Sequence, residues 1–168
     1  MAISTIPEFR VAEINESFQR LLGFTREEVI GRTGTDLGTL EDLDRRGELL
    51  KELQEKGRVA NAPYTLRARS GATRDLLISG EIIEFGGQPH VLVAGVDVTE
   101  LRLTEDRFQK AFHASPAAMS ISTLGEGRYV DVNESYGRMM GYTREELLGR
   151  TPDELGMISD PEERRAMF

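Results

Sequence analysis

The sequence predicts an α+β fold, laid down once nearly whole and then begun again. Three observations point there. The phrase NESFQRLLGFTREEVIGRT at Asn15–Thr33 returns as NESYGRMMGYTREELLGRT at Asn133–Thr151. Helical spacing and helix-capping residues dominate up to Gly57, after which the apolar pattern switches to a period of two. Three alternating runs, joined by Gly-rich turns, then follow one short strand and several short helices. Strands linked as consecutive hairpins form an antiparallel sheet, with the helices segregated against it.

Taken in order, EFRVAEIN (Glu8–Asn15) alternates loosely and reads as a short strand. Asn15 can cap the helix that follows, in which Phe18, Leu21 and Leu22 share a face and Gly23 suits a left-handed terminus. Thr25 and Glu28 form a capping box, repeated as Thr143 and Glu146. In TLEDLDRRGELLKELQEKG, Leu40, Leu43, Leu50 and Leu53 stand near helical spacing, with the charges between them on a solvated face. From Tyr64 on, Tyr64, Leu66 and Ala68 alternate with Thr65, Arg67 and Arg69, so both arginines are expected to face solvent. Arg74–Phe85 is the longest strand, Gly86-Gly87 closes a hairpin, and His90–Val96 returns. Val98, Leu101, Glu105, Phe108 and Phe112 then lay out a short heptad-like seam on a connector helix that ends at Ser115-Pro116.

The repeat sets the domain expectations. Met1–Gly38 and Met119–Gly156 align without a gap at an offset of 118, with 20 of 38 positions identical. Ile14/Val132, Leu22/Met140 and Val29/Leu147 exchange one apolar residue for another, as core positions do. The division expected is 1–98 for a first domain whose first strand is truncated, 99–115 for the connector helix, and 116–168 for the front half of a second. The second copy would leave its apolar faces without partner strands. It is expected to pack on the first copy, exchange with another chain, or stay mobile. An excerpt of a longer chain is expected, with a native chain of degenerate ends as the alternative.

The chain has 168 residues, 39% hydrophobic and 30% charged, the balance of a soluble globular protein. Its net charge of −8 argues against a nucleic-acid surface. There is no Cys, which excludes disulfides, thiolate metal sites and thiol catalysis. No apolar stretch approaches the roughly 20 residues that span a bilayer. A cytoplasmic setting is the default, and an anchor elsewhere in a parent chain is compatible with it.

VNESYGRMMGYTREELLGRTPDEL resembles the first half of a PAS domain, with an Asn-led helix before a Gly-aromatic-Thr-x-Glu-Glu-Leu-x-Gly turn. RARSGATRDLLISGEIIEFGGQPHVLVAGVDVTELR resembles the second half, whose last strand runs into an Asp-(Ile/Val)-Thr signature. FHASPAAMSIS is similar to the family's entry segment. The resemblance implies a PAS-like five-stranded antiparallel sheet with helices over one face, enclosing a small pocket. It further implies homodimerisation and a sensor or relay role in bacterial signalling, upstream of an output histidine kinase or diguanylate cyclase.

The family signature maps onto Asp97, Val98 and Thr99, the expected relay from the last strand into the connector, Thr99 as helix cap and Asp97 as anchor. A plain strand-to-helix cap would use the same atoms. A ligand pocket would be lined by Tyr64, Leu66, Ile78 and Val93, with Phe24 and Leu53 opposite; the alternative is that all six are simply core. Haem-binding relatives place a His on the long helix, where this chain has none, and adduct-forming flavin needs the missing Cys. A non-covalent flavin, a small organic acid or an empty pocket stay open. His90 and His113 are expected to be surface or packing residues. No nucleophile-base set, phosphate loop or metal cluster suggests catalysis. A ligand-responsive sensor and a purely structural dimerisation module therefore stand side by side.

Overall fold

In the computed structural model, residues 1–157 are described. They fall into two compact units divided between Arg102 and Leu103.

The first unit is a five-stranded antiparallel sheet in the order β2-β1-β5-β4-β3. It comprises β1 (Ala2–Thr5), β2 (Val11–Ile14), β3 (Arg58–Arg67), β4 (Thr73–Phe85) and β5 (Gln88–Asp97). The helices α1 (Glu16–Leu22), α2 (Arg26–Val29) and α3 (Leu43–Lys56) intervene between β2 and β3. Residue patterning alone suggested one strand before the helices. The chain instead makes a hairpin there, with Ala2 opposite Ile14 on one side and Val93 on the other. Glu8 and Phe9, assigned from sequence to a strand, lie in the connecting turn, where Phe9 has φ 56°. A four-residue strand is too short for its period to stand out from the turn beside it.

The helix boundaries follow the capping residues. The Asn15 side chain accepts from the Phe18 amide, and Gly23 ends α1 at φ 77°. The Thr25–Glu28 capping box closes as anticipated. On α3 the buried leucines are Leu49 and Leu53, one helical turn apart, whereas Leu43 is exposed. Of the stripe anticipated through Leu40, Leu43, Leu50 and Leu53, Leu40, Leu50 and Leu53 turn to the cavity, whereas Leu43 stands at the exposed start of the helix, just after its cap Asp42, which accepts the Arg45 amide.

β3 carries the alternation that the sequence displays: Ala62, Tyr64 and Leu66, and Ala68 just beyond its end, are buried between more exposed neighbours. β3 is an edge strand, which is where Pro63 is tolerated. Its register against β4 shifts by one residue between Val59 and Ala62. Asn61 takes up the slack at φ 48°, its amide donating to the Ser79 hydroxyl at 3.0 Å.

The connector helix α4 (Thr99–Ala114) leaves the end of β5. The second unit holds β6 (Ser120–Ser122), β7 (Tyr129–Val132), α5 (Glu134–Met140) and α6 (Arg144–Leu147). Its apolar residues were expected to lack local burial. Some of them find it: Tyr129, Val132 and Leu147 are buried against Tyr136, Tyr142, Leu155 and Met157, whereas Ile121, Leu124, Val130 and Met139 stay exposed. The part of the second half-domain beyond Met157 lies outside the described residues.

Candidate functional site

The helices and the inner face of the sheet in the first unit enclose a cavity of about 210 Å³. β4 and β5 supply Ile78, Gly80, Val91 and Val93; β3 supplies Val59, Tyr64 and Leu66; α1 supplies Phe18 and Leu22. From α3 come Arg46, Leu49, Leu50 and Leu53. Leu53, Tyr64, Leu66, Ile78 and Val93, named from the sequence, all line this space. Phe24 does not. It packs at the margin of the core, with the Arg69 guanidinium carbon 5.5 Å from its ring centroid. Arg69 is held there by Glu28 at 2.8 Å, and Arg67 pairs with Glu41, so both arginines face away from the cavity.

The polar groups around the cavity are few and are mostly donors. The Tyr64 hydroxyl is buried and has no hydrogen-bond partner. Burial pushes its pKa up, while the nearby Arg46 charge pulls the other way. Arg46 is half-buried, with its guanidinium carbon 5.8 Å from the Phe9 ring centroid. The Thr39 hydroxyl donates to the Gly34 carbonyl at 3.2 Å. Ser4 adds a third hydroxyl, and no Asp or Glu lines the space. Arg46, Ser4 and Thr39 went unrecognised in the sequence. Arg46 reads as one more charge on a charged helix, and only its position three residues before Leu49 places it near the buried face.

At the far end of β5 a second constellation ties strand to helix. Thr99 was anticipated as the cap, but the roles are divided differently. Asp97 Oδ1 accepts the Thr99 amide at 2.9 Å and the Thr99 hydroxyl at 2.5 Å. The Thr99 oxygen in turn accepts the Asp75 amide of β4 at 2.9 Å. The Val98 amide donates to the Asp75 carbonyl at 2.8 Å, and the Val98 carbonyl accepts the Arg102 amide at 2.9 Å. The Asp75 carboxylate is 3.5 Å from Arg102 and accepts the Thr65 hydroxyl at 2.8 Å. Three strands and the first turn of α4 thus meet in one network.

In the second unit, Asn133 occupies the position of Asn15. Its Nδ2 donates to the Phe112 carbonyl at 3.0 Å and the Ala117 carbonyl at 2.8 Å. His113 sits 3.8 Å from Asp131, which Arg144 holds at 2.9 Å. His90 is buried edge-on to Phe85, its Nδ1 3.0 Å from the Gln88 carbonyl. Among the described residues no group of three or more His, Cys, Asp and Glu could hold a metal ion. Among the described residues no helix is long and apolar enough to cross a membrane.

The first unit is thus a five-stranded antiparallel sheet with helices over one face and a cavity between them. Family models described as PAS domain match residues 1–100 and 106–167, so the chain belongs to the PAS domain family. No curated protein matches the chain. Among solved structures, an RNA-binding Light-Oxygen-Voltage receptor superposes with a TM-score of 0.52 at 18% identity over 65% of this chain. The chain covers 32% of that receptor's length. The LOV domain of a blue-light activated histidine kinase from Erythrobacter litoralis EL346 gives 0.49 at 16% identity, covering 57% of this chain and 92% of that one. A PAS domain from a two-component sensor histidine kinase gives 0.48 at 16% identity, covering 57% and 81%. At 18% identity the likeness to the receptor is one of fold. Neither family match is to a catalytic domain.

Proposed function

We propose that the first unit is a ligand-responsive PAS sensor whose cavity state is passed through Asp97, Val98 and Thr99 into α4. One observation carries this reading. β4 and β5 both line the cavity, through Ile78, Gly80, Val91 and Val93, and both end in the network around Asp75 and Asp97 that holds the first turn of α4. A ligand that shifts these strands must strain or relax those hydrogen bonds, which biases the helix between two arrangements. Downstream, the PAS resemblance points to a kinase or cyclase output in a parent signalling protein working in the cytoplasm.

A structural reading is favoured by a different observation. Leu101 and Phe108, seven residues apart on one face of α4, are 59% and 50% exposed, a seam suited to a second copy of the helix. On that reading the unit dimerises and senses nothing. Native mass spectrometry of the purified chain separates the two. The sensor reading predicts a stoichiometric small molecule on the first unit, or thermal stabilisation by a member of a metabolite panel. A dry cavity with no stabilisation across the panel supports the scaffold and overturns the sensor.

A further inference from the structure

We propose that the cavity of the first unit takes a small monocarboxylic acid, its carboxylate held by the Tyr64 hydroxyl and the Arg46 guanidinium. Its apolar tail lies against Ile78, Gly80 and Val93. This deepens the sensor reading and rests on it.

Size comes first. At about 210 Å³ the cavity exceeds the roughly 150 Å³ apolar hole that accommodates benzene in an engineered protein. One aromatic ring or a short hydrocarbon chain fits, with room for a polar head group.

Charge and hydrogen bonding select the head group. Tyr64 is 8% exposed and its hydroxyl lacks a partner, although buried polar side chains are nearly always satisfied. An unpaired buried donor that borders a hollow marks the place where a ligand acceptor belongs. Arg46 lines the same hollow and forms no ion pair with a carboxylate among the described residues. Guanidinium presents a planar fork of donors that matches a carboxylate. No Asp or Glu lines the cavity; the Asp42 carboxylate lies near the Tyr64 hydroxyl, but the Arg46 charge acts on it more strongly. Elsewhere in the wall the polar side chains are the Ser4 and Thr39 hydroxyls, and Thr39 already donates to the Gly34 carbonyl, so a second carboxylate on the ligand would find no second cation to pair with. An amine would set one cation beside another. A neutral alcohol could satisfy Tyr64 but would leave Arg46 unmatched.

The test is a calorimetric titration of the full chain with benzoate and hexanoate, their alcohols benzyl alcohol and 1-hexanol, and succinate. Nuclear magnetic resonance shifts at Ile78, Gly80 and Val93 locate the binding. The expected result is binding of at least one monocarboxylate tenfold or more tighter than its alcohol, with succinate weaker still. Arg46→Gln is expected to cost the acid tenfold or more while leaving the alcohol unchanged. Tyr64→Phe is expected to weaken the acid several-fold, while the ligand-free variant melts no lower than the parent because it loses an unpartnered hydroxyl. Equal affinity for acid and alcohol, or acid binding unchanged in both variants, overturns the carboxylate assignment and leaves the sensor reading standing. The absence of any shift at the cavity residues with every probe also overturns the carboxylate assignment, whereas the sensor reading falls with a dry cavity and an unresponsive metabolite panel.

Discussion

Asp97 gathers two donors on one oxygen, the Thr99 amide and the Thr99 hydroxyl, while the same hydroxyl oxygen accepts the Asp75 amide from β4. Thr99→Val keeps the shape of the side chain and removes that acceptor. The expected cost is about 1–3 kcal/mol, the penalty for stranding a part-buried amide, read by urea unfolding. A second residue-scale expectation concerns Glu13. A hydrogen bond from Arg26, at 2.9 Å, pulls its carboxyl down to about 2 from the ordinary 4.5. A carboxyl whose pKa is depressed by folding stabilises the native state above its unfolded value, and that contribution disappears as pH falls towards the folded value. Stability is therefore expected to decline between about pH 4.5 and pH 2, and Glu13→Gln to flatten that acid limb in unfolding measured against pH. The same pair recurs as Asp131 and Arg144; burial pushes the Asp131 carboxyl up, but the Arg144 hydrogen bond helps bring it below the usual range.

Among elements, α3 presents the clearest contrast between pattern and packing. Its leucines at 43, 49, 50 and 53 are alike in composition and unlike in burial, since Leu43 is 65% exposed and Leu53 only 6%. Leu53→Ala is expected to destabilise the first unit by about 2 kcal/mol, the low end for a buried leucine because the side chain already borders a cavity. Leu43→Ala should change chemical denaturation by no more than about 0.5 kcal/mol. Capping chemistry was legible in the chain, because Asn15, Thr25 with Glu28 and the glycine at 23 act within a few residues of themselves. The long strands were legible for a related reason: a run such as Tyr64–Ala68 repeats its period often enough to be seen. β1 was not, with four residues ahead of a turn. Nor was the part played by Arg46 or by the Tyr64 hydroxyl. Their significance depends on which atoms lie opposite, and those come from α1, β4 and β5, far away in the chain.

For the molecule as a whole, duplication extends from sequence down to individual hydrogen bonds. Arg10 donates to the Gly31 carbonyl at 2.8 Å, and Arg128 to the Gly149 carbonyl at 2.8 Å. Both threonine capping boxes close in the same way. The local core of the second unit carries its own expectation. The amides of Tyr129, Asn133 and Gly149, bonded to the carbonyls of Arg150, Met119 and Tyr129, should exchange slowly with solvent deuterium, whereas uniformly fast exchange through Asn133–Thr151 would contradict that core. The central claim is that the cavity and the first turn of α4 are energetically coupled. Site-resolved hydrogen exchange at Glu100, Leu101 and Arg102, with and without saturating hexanoate or benzoate, whichever binds, tests it most directly. Ligand is expected to change protection at these amides at least several-fold, and Asp97→Asn to abolish the change while the ligand still binds. Protection at α4 that stays constant while the cavity fills would contradict it.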